Sequence, residues 1–233
     1  ARPGGADFMP LYFLFLLIFL LEIPNFLTEE ECKLLIHLAR LKGLQTSQIL
    51  PVDGYKEAMD NLDISKGLPI GNLSLWSGLN MGVIKLTHLP LDIVENSEPL
   101  QVVRYDTGGH YHAHMDSGPE KVALTGGHHI YVTVLFYLNN VTGGGETTFP
   151  VADNRTYEEL SLIQNDVDLR DTRKHCDKGN LRIKPRQGTA VFWYNYLSDG
   201  KGWVGDVDEF ALHGGCLVTA GTKWIANNWI NVD

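Results

Sequence analysis

The chain is short of the features that mark several large protein classes. Of its 233 residues only three are cysteines: Cys32, Cys176 and Cys216. Their spacing fits neither a zinc ribbon nor a dense disulfide framework, and an odd count leaves at least one thiol unpaired within the chain. Positive charge is scarce, with 19 Lys and Arg against 28 Asp and Glu and a formal charge of −9. Neutralising phosphates takes clustered basic residues, so the composition argues against nucleic-acid partners. Asp60, Asn61 and Asp63 do not form a calcium loop, because the required glycine and terminal glutamate are not at the right offsets. No His-Glu-x-x-His sequence is present, which removes the usual zinc-hydrolase reading. No internal repeat or low-complexity tract is visible. There is also no apolar run of about 20 residues, the length that spans a bilayer comfortably. The longest run, Leu11 to Leu21, has three readings: the apolar region of a signal, the remnant of a membrane anchor, or a buried strand or helix.

What remains is an ordinary globular composition, 44% hydrophobic and 20% charged, sufficient for a sizeable core. The length suits one domain with additions, or two small ones. Thr28-Glu29-Glu30-Glu31 is a capping box. Leu34, Leu35, Leu38 and Leu41 follow at helical spacing and Gly43 ends the helix, which should pack outside a sheet. Residues 51–99 show no clear period. The polar stretch from Ala152 to Gly188 mixes both signs and reads as a solvated excursion. Thr156–Ile163 within it is a short helix candidate with a Thr156/Glu159 box.

From Leu100 the texture changes to short runs of β-branched and aromatic residues: Leu100–Tyr105, Tyr131–Asn139, Thr189–Tyr196, Gly215–Thr219 and Lys223–Asn231. Gly143-Gly144-Gly145 supplies a turn. Many short strands with glycine turns indicate a jelly roll or barrel. We therefore divide the chain into an apolar segment (1–22, a candidate anchor remnant), a helical support region (23–99) and a β domain (100–233).

The chemistry-bearing residues are His114-Met115-Asp116 and, far downstream, His213, with Lys223 on a later strand. Strand residues two apart point the same way. His114 and Asp116 therefore share a face if their segment is extended, and His213 is the best third donor among nine histidines. Two imidazoles and one carboxylate on one face of an ion leave its other positions open, as in the facial triad of non-heme iron(II) oxygenases. A lysine beside such a site suits an acidic cosubstrate. The same parity groups Lys223, Ile225, Asn227 and Trp229, and separately Thr133, Leu135 and Tyr137. Each residue has a plainer alternative. His110, His112 and His114 read equally as a histidine-rich surface strip, His128-His129 as a loop pair, and Lys223 as a solvated residue. Tyr105, Tyr111 and Tyr137, like Trp193, Trp203, Trp224 and Trp229, read as packing residues.

The joint order of these residues resembles the prolyl 4-hydroxylase family of iron(II)/2-oxoglutarate dioxygenases, from about Pro99 to Asp233. The pattern is Tyr105-x-x-Gly108-x-x-Tyr111-x-x-His114-x-Asp116, then Thr133-Val134-Leu135-Phe136-Tyr137-Leu138 and Gly144-Gly145-Glu146-Thr147-Thr148-Phe149-Pro150. It continues with Pro185-Arg186-Gln187-Gly188-Thr189-Ala190-Val191-Phe192, His213-Gly214-Gly215-Cys216 and Gly221-Thr222-Lys223-Trp224. The resemblance implies a mainly β fold with flanking helices (α+β), built on a double-stranded β-helix (jelly roll). It implies Fe(2+) held by His114, Asp116 and His213, and 2-oxoglutarate anchored by Lys223 with Tyr137 on the same carboxylate. Tyr105 falls near the metal and cosubstrate, and Trp229 lines the pocket. The expected reaction is 4-hydroxylation of proline in a peptide or protein, with succinate and CO2 as coproducts and L-ascorbate as the reductant that restores oxidised metal. Two alternatives stay open: a non-catalytic metal-binding jelly-roll module, and a same-fold oxygenase acting on a non-peptide substrate.

The tail Trp229 to Asp233 and the stretch Val151 to Tyr157 resemble the membrane-bound endoplasmic-reticulum branch of that family. Three glycosylation sequons, at Asn72, Asn140 and Asn154, point the same way. The expected location is the endoplasmic reticulum, membrane-associated with the catalytic part lumenal. Two departures stand out: that branch carries an EF-hand pair where residues 60–79 have no such loop, and the stretch between Asp116 and Ile130 is short and lacks expected cysteines.

Overall fold

The computed structural model describes residues 18–46, 62–64, 73–95, 97–118, 129–152, 162–198, 200 and 204–232. The expected helix at Thr156–Ile163 lies almost wholly outside them. So do Asn72, Asn154, His128, Trp203 and most of the Leu11–Leu21 run.

The fold is two antiparallel sheets with helices on one outer face. The large sheet has the order β1 (Leu20–Ile23), β12 (Ala190–Tyr194), β6 (His129–Tyr137), β15 (Lys223–Val232), β4 (Gln101–Tyr105), β3 (Leu62–Ile64), β2 (Gln45–Thr46). The smaller sheet runs β11 (Leu181–Ile183), β8 (Thr147–Phe149), β13 (His213–Gly215), β5 (Tyr111–His114). Two short ribbons complete it: β7 (Gly143–Gly144) with β14 (Val218–Ala220), and β9 (Ile163–Gln164) with β10 (Val167–Asp168). The expected glycine turn at 143–145 is thus partly a strand. The expected strand Gly215–Thr219 is split between β13 and β14.

Alternation along the large sheet separates two cores. Val132, Val134 and Phe136 on β6, Phe192 on β12 and Trp224, Ala226 and Ile230 on β15 face the helices. Leu135 and Tyr137, Val191 and Trp193, and Ile225 face the smaller sheet. A strand buried on both faces reads as a nearly unbroken apolar run, which is why β6 shows so little polar alternation.

Helix α1 (Glu29–Lys42) begins at the expected box. The Thr28 hydroxyl accepts from Glu31 N, the Glu31 carboxylate accepts from Thr28 N, and Gly43 at φ 79° ends the helix. Its buried face differs from the expected leucine stripe: Cys32, Leu35 and Ala39 are buried, while Leu41 is 70% exposed. That triplet packs on the sheet. Arg40 and Arg104 also flank the Trp224 ring, at 5.3 and 5.9 Å from its centre, which ties α1 to β4 and β15. Two further helices, α2 (Leu73–Thr87) and α3 (Leu91–Glu95), occupy the region that showed no period. Leu79 and Val83 of α2 join the helix-side core, so α1 and α2 pack on the sheet that β1 shares with the strands after residue 100. No described helix is long and apolar enough to cross a membrane.

The stretch expected as a solvated excursion is partly core. Leu162 and Leu169 pack with Val151, Ala113 and Leu212. The segment caps the free edge of β5: Ala113 N donates to Arg170 O, and the Thr172 hydroxyl donates to Tyr111 O. Helix α4 (Thr172–His175) follows, capped by Asp171, which accepts from Arg173 N and Lys174 N. A disulfide joins Cys176 to Cys216 across 40 residues, leaving Cys32 free and buried.

Candidate metal centre

The site lies where the two sheets approach, and a β-bulge builds it. His213 pairs with His114 and Gly215 with Tyr111, so β13 advances two residues while β5 advances three. The extra residue reverses the alternation of β5. Tyr111 therefore comes to the same side as His114, their rings stacking at 4.0 Å and 29°. The surface-strip alternative for His110, His112 and His114 does not hold. His110 and His112 are each 8% exposed, and His112 turns toward Asp171, its Nδ1 3.8 Å from that carboxylate. Gly214, in the middle of β13, has no room for a side chain: a Cβ there would sit 2.7 Å from Thr172 Cγ2, 2.8 Å from Tyr111 O and 2.9 Å from Ala113 N.

His114, Asp116 and His213 converge. One donor atom from each lies within 4.8 Å of the others, the only such group among the described residues. His114 Nε2 is 3.5 Å from Asp116 Oδ1, and His213 Nε2 is 3.6 Å from Asp116 Oδ2. Both rings are held the same way. His114 Nδ1 meets the His112 carbonyl and His213 Nδ1 the Ala211 carbonyl, each at 2.9 Å. A carbonyl only accepts, so each Nδ1 carries the proton and each Nε2 presents a lone pair to the site. Burial alone would raise the Asp116 carboxyl. When protonated, the His213 imidazole and then that of His114, followed by the Thr133 hydroxyl, outweigh it and hold the group well below the usual carboxylate range. Two neutral nitrogen donors and one ionised oxygen fit a divalent first-row metal, iron(II) included.

Lys223 opens β15 and is 2% exposed, so it is not the solvated residue of the plainer reading. Its Nζ lies 5.5 Å from the centre of the Tyr105 ring and 5.9 Å from that of Tyr137. Burial pushes the amine down to about 7, against a smaller opposing pull from Glu146. Tyr105 and Tyr137 are themselves buried, with hydroxyls raised above their ordinary range by desolvation. The Tyr137 hydroxyl donates to Thr147 Oγ1 at 2.7 Å, with the Ile183 carbonyl at 3.3 Å. Trp229 sits on the Lys223 side of β15, as parity predicts, and its indole N–H donates to Asp116 Oδ2 at 3.1 Å.

Sequence reasoning gave no role to Thr133, Asn195 or Thr147. The first was within reach, since parity had already grouped it with Leu135 and Tyr137. Thr147 lies on β8 and Asn195 just past the end of β12, and no spacing rule signals their contacts.

A jelly roll with a His-Asp-His cluster and a sequestered lysine between its sheets is the construction of a 2-oxoglutarate-dependent oxygenase. The comparisons agree. The profile of the 2OG-Fe(II) oxygenase superfamily matches residues 100–231. Human transmembrane prolyl 4-hydroxylase is 48% identical over 92% of this chain and 63% of its own length, and prolyl 4-hydroxylase 2 of Arabidopsis thaliana is 40% identical over 90% and 66%. The viral collagen prolyl hydroxylase of Paramecium Bursaria Chlorella virus-1 superposes with a TM-score of 0.60 at 23% identity, covering 92% of this chain and 96% of that one. The chain belongs to the prolyl 4-hydroxylase family of 2OG-Fe(II) oxygenases. It spans about 63% of the human relative. That alignment runs over 318 positions against 233 residues here, so the human protein carries segments with no counterpart in this chain.

Proposed function

We propose that this chain is an iron(II)- and 2-oxoglutarate-dependent dioxygenase that hydroxylates C4 of proline in a peptide or protein, releasing succinate and CO2. The observation that carries the reading is the convergence of His114 Nε2, Asp116 and His213 Nε2 beside a buried lysine. His114, Asp116 and His213 would hold the metal. Bound iron supplies the redox chemistry that couples oxidative decarboxylation of 2-oxoglutarate to substrate hydroxylation. The protein supplies position and charge. Lys223, protonated, pairs with the distal carboxylate of the cosubstrate in a site shielded from water, where a charge-assisted hydrogen bond is strong. The Tyr105 and Tyr137 rings wall that cavity and exclude water. Trp229 holds Asp116 through its indole N–H. L-Ascorbate is the proposed reductant for metal oxidised in turnovers without substrate.

The test is incubation with iron(II), 2-oxoglutarate and ascorbate, with and without proline-containing peptides, following succinate and the mass of the peptide. Peptide-dependent succinate with a gain of one oxygen on proline supports the proposal. No succinate under any condition leaves the non-catalytic module. Succinate stimulated only by non-peptide compounds leaves the other oxygenase reading.

We further propose a lumenal, membrane-associated site of action in the endoplasmic reticulum, with residues 100–233 as the dioxygenase domain, 23–99 as its support and the apolar segment 1–22 as an anchor remnant. The Cys176–Cys216 disulfide supports an oxidising compartment, as do the sequons. Asn140 is exposed. Loss of one glycan's mass in Asn140→Gln, expressed through the secretory pathway, tests lumenal exposure of that loop.

A further inference from the structure

We infer that the outer face of the smaller sheet is a docking surface for an acidic stretch of the polypeptide whose proline enters the site. The identity of that polypeptide as substrate rests on the hydroxylase reading above. Charge is unevenly placed along the chain. Residues 170–186 carry seven of the 19 Lys and Arg and only two acidic residues, Asp171 and Asp177, in a protein of formal charge −9. Just upstream the bias is reversed: residues 153–169 have five acidic residues and Arg155 as the single basic one.

The fold turns the basic stretch into a face. Thr148 on β8 pairs with Arg182 on β11 and with Gly214 on β13, so the three share one side of the sheet. A Cβ on Gly214 would meet Thr172, and one on Gly179 would meet Thr148, so residues 172–179 are laid over that outer side. Leu181 and Ile183 take the inner side. Arg173, Lys174 and Lys178 on the cover and Arg182, Lys184 and Arg186 along and beyond β11 are all exposed. Lys174 pairs with Asp171 at 3.4 Å and Lys178 with Asp177 at 3.1 Å. The other four make no ion pair with a described residue. The Cys176–Cys216 disulfide fastens the cover to β13, so the face is fixed relative to His213.

Its chemistry selects a polypeptide. No aromatic residue occurs in 170–186, so single-stranded nucleic acid finds nothing to stack on. None of the exposed large hydrophobic residues falls there either, so nothing enters a bilayer. Arg182, Lys184 and Arg186 instead alternate along a strand that ends its sheet among the described residues. They recur at roughly 7 Å, the spacing of alternate carboxylates on an extended chain lying alongside. β11 is two strands from β13, about 10 Å, a span of about three extended residues.

Fluorescence anisotropy on the whole chain reads docking without turnover. The probes are a labelled peptide with one proline between two runs of Glu, and its counterpart with Gln for every Glu. The wild type should bind the Glu peptide about tenfold more tightly, and the difference should shrink as salt rises. Exposed ion pairs are worth about 1.5- to 5-fold each, so reversing two charges in Arg182→Glu/Lys184→Glu should weaken Glu-peptide binding about tenfold and leave the Gln peptide unchanged. In turnover the same double variant should raise KM for the Glu peptide, with kcat and the 2-oxoglutarate requirement unchanged. Equal wild-type affinity for the two peptides overturns the inference, as does an unaltered Kd or KM in the double variant. Tighter binding of phosphatidylserine vesicles or of a single-stranded oligonucleotide than of the Glu peptide overturns the assignment to a polypeptide. If the double variant does not fold, Lys184→Gln/Arg186→Gln carries the same expectation and the same refutation. Docking that depends on these residues, with no hydroxylation of any peptide, upholds the face and overturns the hydroxylase reading instead.

Discussion

The Tyr111 ring lies flat against the His114 ring, 4.0 Å between centres, although the two residues are three apart on one strand. In a regular strand they would point to opposite faces. The β5 bulge brings them together, and it does so opposite His213. One inserted residue therefore decides which imidazole of His110, His112 and His114 enters the site and gives that imidazole an aromatic backing.

Removing either early donor should abolish the site. In His114→Ala and in Asp116→Ala, iron retention and 2-oxoglutarate decarboxylation are expected to be lost together. Metal content after gel filtration and succinate release measure the two. Full activity in either variant would refute the ligand assignment.

Lys223→Ala is expected to act differently. The donors remain, so metal binding should stay near wild type while the 2-oxoglutarate requirement rises. Loss of a charge-assisted hydrogen bond in a shielded site is worth about 1.5–3 kcal/mol, or on the order of 10–100-fold in KM. An unchanged KM would place the cosubstrate elsewhere.

The same lysine predicts a pH dependence. Its amine is pushed down to about 7 from 10.5, and the cosubstrate binds the protonated form. Affinity for 2-oxoglutarate should be level below about pH 7 and fall by up to about tenfold per unit above it. Stability of the cosubstrate-free protein changes in the opposite direction. Between about 7 and 10.5 the unfolded chain holds a proton that the folded one lacks, so this group makes folding more favourable as pH rises through that window. Lys223→Arg, which stays charged, should flatten the affinity profile. A profile in the wild type that is already flat from pH 6 to 9 would contradict the buried, titrating lysine.

The strands that carry the site were legible because their residues are β-branched, aromatic and bounded by glycine. The pocket face of β15 followed from parity alone: Lys223 and Ile225 face the smaller sheet's side while Trp224 and Ala226 face the helices. Parity failed at β5, because a bulge inserts a residue that leaves no mark in the sequence. It misled at α1 for another reason. Leucine repeats at helical spacing along Leu34, Leu38 and Leu41, but close approach of the helix to the sheet selected the smaller Cys32 and Ala39 beside Leu35. Helix α2 was missed because Leu73–Thr87 is largely apolar and carries no clear polar face to set a period.

The Cys176–Cys216 pairing could not be read from three cysteines, yet it makes a sharp prediction. Cys216 lies three residues past His213, and Cys176 follows α4, whose first residue, Thr172, bonds to β5. The disulfide thus fastens the segment that caps β5 to the strand that presents His213. Closing a loop of this size stabilises a fold by about 2–4 kcal/mol, on the order of 5–15 °C in a chain of this length. Reductant should lower the wild-type unfolding midpoint by that amount, whereas Cys216→Ser should start lower and not respond. Cys32 will not substitute, because burial pushes its thiol up to about 11. Thiol labelling of the native, unreduced protein should therefore be negligible, rising to one group per chain on denaturation. Three reactive thiols in denatured, unreduced protein from an oxidising compartment would show that the disulfide does not form, and the lumenal reading would lose one of its supports.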